Sequence, residues 1–123
     1  MAVQRGELDP SRLDEEDDDE ALAMSAMTAS ELLHGIHRLK SAVKRTRASR
    51  VVEHWLASFP VVSFDLAIAR VHAQLDAELS ASGAKVGDAD LVIAATAVAL
   101  DYRIATRDLR SFPKIRGLDV VRW

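Results

Sequence analysis

The sequence predicts a single α/β domain built around a parallel sheet. Short apolar segments with strand character alternate along its 123 residues with longer segments whose apolar residues recur at helical spacing. The run from Leu91 to Leu100 is apolar almost without interruption, which is typical of a helix buried against a sheet. Because strands that alternate with helices usually pair in parallel, we expect an α/β fold.

Local signals predict the elements in chain order. Residues 21–27 have the pattern of a short buried strand, and Thr28 begins a helix whose apolar residues lie on one face. Pro60 ends a second helix, while Asp65 caps a third helix that Gly83 ends. A fourth helix covers residues 88–101, and the other strand candidates are residues 61–64, 102–106 and 118–121.

Composition narrows the class of protein. A net charge of −3 gives no overall attraction to nucleic acid, so any basic surface must be local. The absence of cysteine excludes disulfides, thiol catalysis and cysteine-based zinc sites, and it fits a reducing cytoplasm. The longest apolar run is too short to cross a bilayer, and acidic residues stand near the N-terminus where a signal peptide has apolar ones. We therefore expect a cytoplasmic protein with no membrane partner.

Three acidic residues fall at one edge of the predicted sheet. Glu31 follows the first strand candidate, Asp90 lies in the first turn of the buried helix, and Asp108 follows the strand at residues 102–106. Carboxylates that converge repel one another unless a cation neutralises them. Oxygen ligands of this kind suit Mg²⁺ or Mn²⁺. The pattern therefore predicts metal-dependent hydrolysis of a nucleic-acid backbone, with these three acids as catalytic residues and metal ligands.

The same acids also have a purely structural interpretation, which the residues alone leave open. Thr28 and Glu31 have the spacing of a capping box, in which Glu31 only holds a backbone N–H. Asp88 and Asp90 are typical of residues that favour a helix N-terminus, and Asp108 is suited to capping a turn.

Three segments in this order resemble the PIN-domain family, and within it the VapC-type toxins of bacterial toxin–antitoxin pairs. They are residues 28–35 (TASELLHG), 87–97 (GDADLVIAATA) and 105–112 (ATRDLRSF), and the similarity extends from about residue 21 to the C-terminus. The resemblance implies a three-layer α/β/α fold and an endoribonuclease dependent on Mg²⁺ or Mn²⁺. It maps the family's acidic site residues onto Glu31, Asp90 and Asp108, with Thr28, Asp88 and Thr106 as supporting residues.

The resemblance also implies partners. These are an RNA substrate, a small antitoxin that covers or invades the active site, and a second copy of the chain in a homodimer. A basic segment offers candidate contacts to RNA phosphates, and the alternative for it is a solvated loop between helices. The candidates are Arg38, Lys40, Lys44 and Arg45, together with Arg107.

The N-terminus departs from the family pattern, which begins with a buried strand ending in Asp followed by Thr or Ser. Residues 1–6 resemble the helix that follows that strand, so we expect the first strand to be missing or truncated and the first catalytic acid to be absent. Residues 1–20 are interpreted as a helix remnant and an acidic loop, and residues 21–123 as the core of one domain. Glu7, Asp9 and Asp14 follow no apolar strand and do not replace the missing acid.

Two explanations of this departure compete: a start codon placed too late, or a remnant with impaired folding and activity. We favour the first because the other motifs are intact. Two functions follow as hypotheses, namely a toxin that cleaves RNA and, alternatively, a catalytically impaired PIN-fold module that only binds an antitoxin or another PIN subunit. A nuclease that acts on DNA is a third.

Overall fold

Five strands and four helices make up the described part of the chain. The structure is a computed structural model, and it describes residues 2–4, 22–106, 112, 115 and 117–122. In chain order the elements are β1 (Ala2–Gln4), β2 (Leu22–Ser25), α1 (Ala26–His37), α2 (Ala42–Ser58), β3 (Val61–Val62), α3 (Leu66–Ser82), α4 (Asp88–Leu100), β4 (Arg103–Thr106) and β5 (Val120–Arg122).

The strands form one parallel sheet in the order β3–β2–β1–β4–β5. Val3 is level with Ala23 on one side of β1 and with Ile104 on the other, so β1 is the central strand. The predicted α/β fold with a central parallel sheet is thereby confirmed. Because every strand points the same way, the carboxyl ends of β1, β2, β3 and β4 lie along one edge of the sheet.

The interpretation of residues 1–6 as part of a helix was wrong for Ala2–Gln4, which forms β1. The first strand is thus present in the sheet and not missing. The physical reason is that β2 and β4 each present a row of backbone N–H and C=O groups toward the space between them, and only a strand in that space can bond to both rows. Residues 5–21, with Glu7, Asp9 and Asp14, lie outside the described residues.

Helices cover both faces of the sheet. Successive residues of a strand point to opposite faces, and the neighbours Ala23 and Met24 are each only 1% exposed. Met24 packs against Ala29 of α1 and Trp55 of α2. Ile104 of β4 belongs to a larger core cluster with residues of α3 and α4. This arrangement is the expected three-layer α/β/α architecture, since a parallel sheet needs cover on both sides.

Helix α4 is buried on almost every side, as its composition predicts. Ile93, Ala94 and Ala97 have no exposed surface, and the small alanines allow the helix to approach the sheet and α3 closely. The helix ends at Asp101, which adopts the left-handed conformation (φ 56°) while its N–H bonds to the carbonyls of the last turn. No helix in the described part of the chain is long and apolar enough to cross a membrane.

Two residues beyond β4 hold the C-terminal segment to the core. Phe112 has no exposed surface and Ile115 is 4% exposed, and both belong to the cluster formed by α3, α4 and β4. This anchoring fixes the chain on either side of residues 107–111, which lie outside the described residues.

We expect Phe112→Ala to lower the free energy of unfolding by about 3 to 5 kcal/mol, because truncating a buried Phe loses apolar contacts and leaves a cavity. Urea denaturation followed by circular dichroism measures this change. The control is Leu66→Ala, since Leu66 is 67% exposed and its truncation should change stability by less than about 0.5 kcal/mol. Equal effects of the two substitutions would show that Phe112 does not anchor the segment.

Candidate metal centre

Two helices bring acidic residues to the carboxyl edge of the sheet. Helix α1 follows β2 without a gap, so its first turn lies at this edge. Only two residues separate α4 from β4, so the helix runs antiparallel to that strand and its first turn lies at the same edge. Glu31 is therefore in the second turn of α1, and Asp90 is in the first turn of α4.

Glu31 is not part of a capping box. Helix α1 begins at Ala26 and not at Thr28, and its N-cap is Ser25, whose Oγ accepts a hydrogen bond from the Thr28 N–H at 3.0 Å. Glu31 is consequently six residues beyond the cap, too far along the helix to hold the N-cap N–H. The capping alternative for this residue was wrong. Its side chain is half-buried, and the carboxylate oxygen Oε1 is fully buried.

Asp90 is the most deeply buried acid of the described part of the chain. It is 7% exposed, and its Oδ1 is buried. The N-cap of α4 is Gly87, which offers no side-chain oxygen to the helix. A Cβ on Gly87 would meet Asp90 Oδ2 at 3.8 Å, so the carboxylate lies directly against the N-cap backbone.

Asp88 and Asp90 both lie in the first turn of α4, where the helix dipole favours negative charge, as the structural interpretation of these acids expects. Asp88 is exposed, however, whereas Asp90 points inward. Burying a carboxylate costs free energy that the helix terminus alone, at about 1 kcal/mol, only partly offsets. Burial thus distinguishes Asp90 from Asp88.

The helices that carry Glu31 and Asp90 pack against each other. Met27 of α1 contributes to this contact by packing against the core cluster that includes Leu91 and Ile93. Asp108, the third predicted ligand, lies outside the described residues, two positions after Thr106, the last residue of β4. Among the residues that the structure does describe, no group of three or more His, Cys, Asp or Glu side chains could hold a metal ion.

The available donors fit a hard divalent cation. Glu31 and Asp90 supply carboxylate oxygens, which Mg²⁺ and Mn²⁺ prefer, and the chain has no cysteine to attract a softer ion. His34 and His37 are exposed in the last turn of α1. Glu31 and Asp90 are therefore the described residues that could hold such a cation.

A pair of buried hydroxyl groups lies at the beginning of α1, in the turn before Glu31. Ser25 is 1% exposed and Thr28 has no exposed surface, and their Oγ and Oγ1 atoms are 3.1 Å apart. Thr28 was predicted as a supporting residue, but Ser25 was missed because the predicted strand extended to residue 27. The signal that identifies Ser25 is a serine at the end of an apolar strand, three residues before a threonine in the following helix.

The basic residues lie at the far end of a helical hairpin. Trp55 near the end of α2 packs against Ala29 near the beginning of α1, so the two helices are antiparallel. Since α1 is about 18 Å long, the residues that join α1 to α2 are separated from the first turn of α1 by most of that length. Residues 38–50 form the basic segment, for which a solvated loop was the alternative. That alternative was wrong for most of the segment, because residues 42–50 are helical.

The basic side chains near the α1–α2 turn differ in their exposure to solvent. Arg38, Lys40 and Lys44 are exposed. Arg45 is half-buried and donates a 2.7 Å hydrogen bond from Nη1 to the Leu39 carbonyl, so it stabilises the turn between the two helices. Arg107, the remaining candidate, lies outside the described residues.

Known proteins share both the sequence pattern and the fold. The family model described as PIN domain matches residues 1–118. A protein of Sinorhizobium fredii named VapC ribonuclease Y4jK is 40% identical to this chain over 106 residues, which are 83% of this chain and 74% of that protein.

Solved structures extend the similarity to three dimensions. FitAcB from Neisseria gonorrhoeae superimposes with a TM-score of 0.85 at 25% identity, covering 99% of this chain and 97% of that one. VapBC-5 from Mycobacterium tuberculosis, a member of the VapBC family of toxin–antitoxin systems, has a TM-score of 0.81 at 24% identity and covers 99% of this chain and 98% of the other. The latter shows the shared fold alone.

We expect Ser25→Ala to lower the free energy of unfolding by about 1 to 2 kcal/mol, because α1 loses its cap and the buried Thr28 hydroxyl loses its partner. Ser41→Ala is the matched control. Ser41 caps α2 through a longer, exposed hydrogen bond of 3.3 Å to the Lys44 N–H, so the loss should be about 0.5 kcal/mol. Urea denaturation compares the two variants, and a smaller loss for Ser25→Ala than for Ser41→Ala would contradict the assignment.

Proposed function

Since this chain belongs to the PIN-domain family, we propose that it is the toxin of a type II toxin–antitoxin pair and an endoribonuclease that hydrolyses RNA phosphodiester bonds. The observation that carries the proposal is the buried Asp90 in the first turn of an apolar helix at the carboxyl edge of the sheet. The 40% identity to a protein named as a VapC ribonuclease supports RNA as the substrate and favours the enzyme over the binding module.

Glu31 and Asp90, with Asp108 as a third ligand, are the residues that would hold Mg²⁺ or Mn²⁺. Bound there, the cation supplies an acidified, oriented water and stabilises the negative charge that builds on the phosphodiester. The protein contributes rigidity. Asp90 is fixed by the core packing of α4, and the half-buried Glu31 is held on a helix that packs against α4. Ligands that are locked by packing need little reorganisation when the cation and the RNA bind.

RNA contacts come from the basic residues near the α1–α2 turn. Their exposed charges are local cations on a chain of net charge −3, so they attract a phosphate backbone without making the whole protein basic. Arg38, Lys40 and Lys44 are the residues free to do so, while Arg45 contributes from its place in the turn. An RNA strand that also reaches Asp90 must extend along most of the α1–α2 hairpin.

The proposed protein partners are a small antitoxin and a second copy of this chain. Membership of the PIN-domain family, with 40% identity to a protein named as a VapC ribonuclease, supports an antitoxin. Large apolar side chains on the surface give such partners area to bury. Val43 and Val51 on α2 are 61% and 45% exposed, and Phe64 before α3 is 49% exposed.

We expect the purified chain to cleave RNA in the presence of Mg²⁺ or Mn²⁺ and to lose cleavage when EDTA removes the cation. Asp90→Asn should reduce the rate by more than about a hundredfold, because the amide keeps the shape of the side chain but removes the charge that binds the cation. Gel electrophoresis of end-labelled RNA measures both effects.

The matched control is Asp101→Asn, the same substitution at the opposite end of α4. Asp101 is exposed, and asparagine tolerates its left-handed conformation, so cleavage should stay within about twofold of the parent chain. Cleavage by Asp90→Asn at the parent rate would remove the proposed active site. A parent chain that binds an antitoxin but cleaves no RNA with either cation would support the binding module instead.

We expect Lys44→Ala to weaken RNA binding and to reduce its salt dependence. Each phosphate contact to single-stranded RNA contributes a slope of about 0.7 in the logarithm of the binding constant against the logarithm of the salt concentration. Fluorescence anisotropy with the Asp90→Asn chain measures binding without cleavage. Arg70→Ala, which removes an exposed cation from α3, is the control, and equal slopes for the two variants would exclude the α1–α2 turn as an RNA contact.

A further inference from the structure

We propose that Ser25 and Thr28 form a hydroxyl pair that positions the Glu31 carboxylate for cation binding. The inference rests on the proposed function and adds to it two positioning residues, neither of which itself touches the cation. The juxtaposition that carries it is a fully buried hydroxyl pair at the end of β2, one helical turn before Glu31.

Hydrogen bonding within the pair leaves one proton to be donated elsewhere. Two hydroxyl groups have two protons, and the 3.1 Å contact between Ser25 Oγ and Thr28 Oγ1 uses one of them, whichever atom is the donor. The Ser25 oxygen also accepts the Thr28 N–H at 3.0 Å, so the cap uses a lone pair and no proton. The second hydroxyl proton is buried, and a buried donor needs an acceptor.

A helical threonine usually donates its hydroxyl proton to the backbone carbonyl four residues earlier in the same helix, and α1 has no such carbonyl for Thr28. The other two threonines in the described helices donate to the carbonyl four residues earlier, Thr46 to Ala42 at 3.0 Å and Thr96 to Val92 at 2.8 Å. The residue four positions before Thr28 is Met24, which belongs to β2 rather than to the helix. Thr28 therefore has no carbonyl of its own helix at that spacing, and its hydroxyl is left to a side-chain network.

Helical spacing brings Glu31 to the same face of α1 as Thr28, one turn further along the helix. Residues three apart on a helix share a face, with about 5 to 6 Å between their Cβ atoms. Thr28 is fully buried and Glu31 Oε1 is buried too, so both side chains lie on the inward face of α1. A hydroxyl that donates to a carboxylate fixes its rotamer and leaves the other lone pairs directed at a cation, which is the role that outer partners play in metal sites.

The test is a double-mutant cycle on Mn²⁺ affinity. Thr28→Val keeps the shape of the side chain but removes its hydroxyl, and we expect Mn²⁺ to bind at least about tenfold more weakly by isothermal titration calorimetry. Thr28→Ser keeps the hydroxyl and should bind Mn²⁺ within about threefold of the parent. In a Glu31→Gln background, Thr28→Val should have no further effect, because the residue that it positions no longer has its charge.

Thr96→Val is the matched control. Thr96 is also a buried helical threonine, at 1% exposure, but its hydroxyl is bonded to a backbone carbonyl, so Mn²⁺ affinity should stay within about twofold. If Thr28→Val does not fold by circular dichroism, Ser25→Gly replaces it. Glycine is a tolerated N-cap that removes the serine hydroxyl, and it should weaken Mn²⁺ binding in the same way.

Two results would overturn the inference. One is a folded Thr28→Val or Ser25→Gly chain with the Mn²⁺ affinity of the parent, and the other is the same weakening in the Glu31→Gln background as in the parent. Failure of the proposed function is a separate result, because it appears in the parent chain as an absence of RNA cleavage or of Mn²⁺ binding, whereas failure of the inference appears only in the comparison between variants.

Discussion

The free-energy cost of burying carboxylate oxygens is the constraint on which the candidate site depends. Glu31 Oε1 and Asp90 Oδ1 are both buried, on two helices that pack against each other. Removing a charged oxygen from water costs several kcal/mol unless opposite charge or hydrogen bonds offset it. Groups that offset this cost must therefore surround both carboxylates, and the proposed divalent cation is one such group.

The rest of the fold holds these oxygens in place. Helix α4 is apolar and tightly packed, so the first turn that contains Asp90 cannot move without disturbing the core that α3, β4 and Phe112 share. Ser25 is both the last residue of β2 and the N-cap of α1, so the helix begins directly where the strand ends. The position of Glu31 is therefore determined by the sheet rather than by a flexible connection.

The acidic residues of the candidate site and the exposed basic residues lie in two different regions of the molecule. The buried acids lie at the carboxyl edge, where helix termini and strand ends meet and where divalent cations and phosphates can be recognised. The exposed cations lie near the turn between α1 and α2, where Arg38 is seven residues, or about 10 Å along the helix axis, beyond Glu31. The acids and the exposed cations therefore lie at different places on the molecule, which fits a division between cation binding and phosphate binding.

The sequence by itself determined the fold class, and it is also the source of the three proposed ligands. Local patterns are visible without coordinates, and two of them gave the fold class, namely the apolar run of α4 and the alternation of strands with helices. Its errors concerned boundaries and long-range pairing. Helix α1 starts at Ala26 because Ser25, and not Thr28, supplies its N-cap. Residues Ala2–Gln4 join the sheet because they pair with β2 on one side and with β4 on the other. The Ser25 cap is a local signal that was missed. The pairing of β1 cannot be read from neighbouring residues, since hydrogen bonds to distant parts of the chain decide it. For the same reason only the tertiary structure decided that Asp90 is buried while Asp88, two residues before it, is exposed.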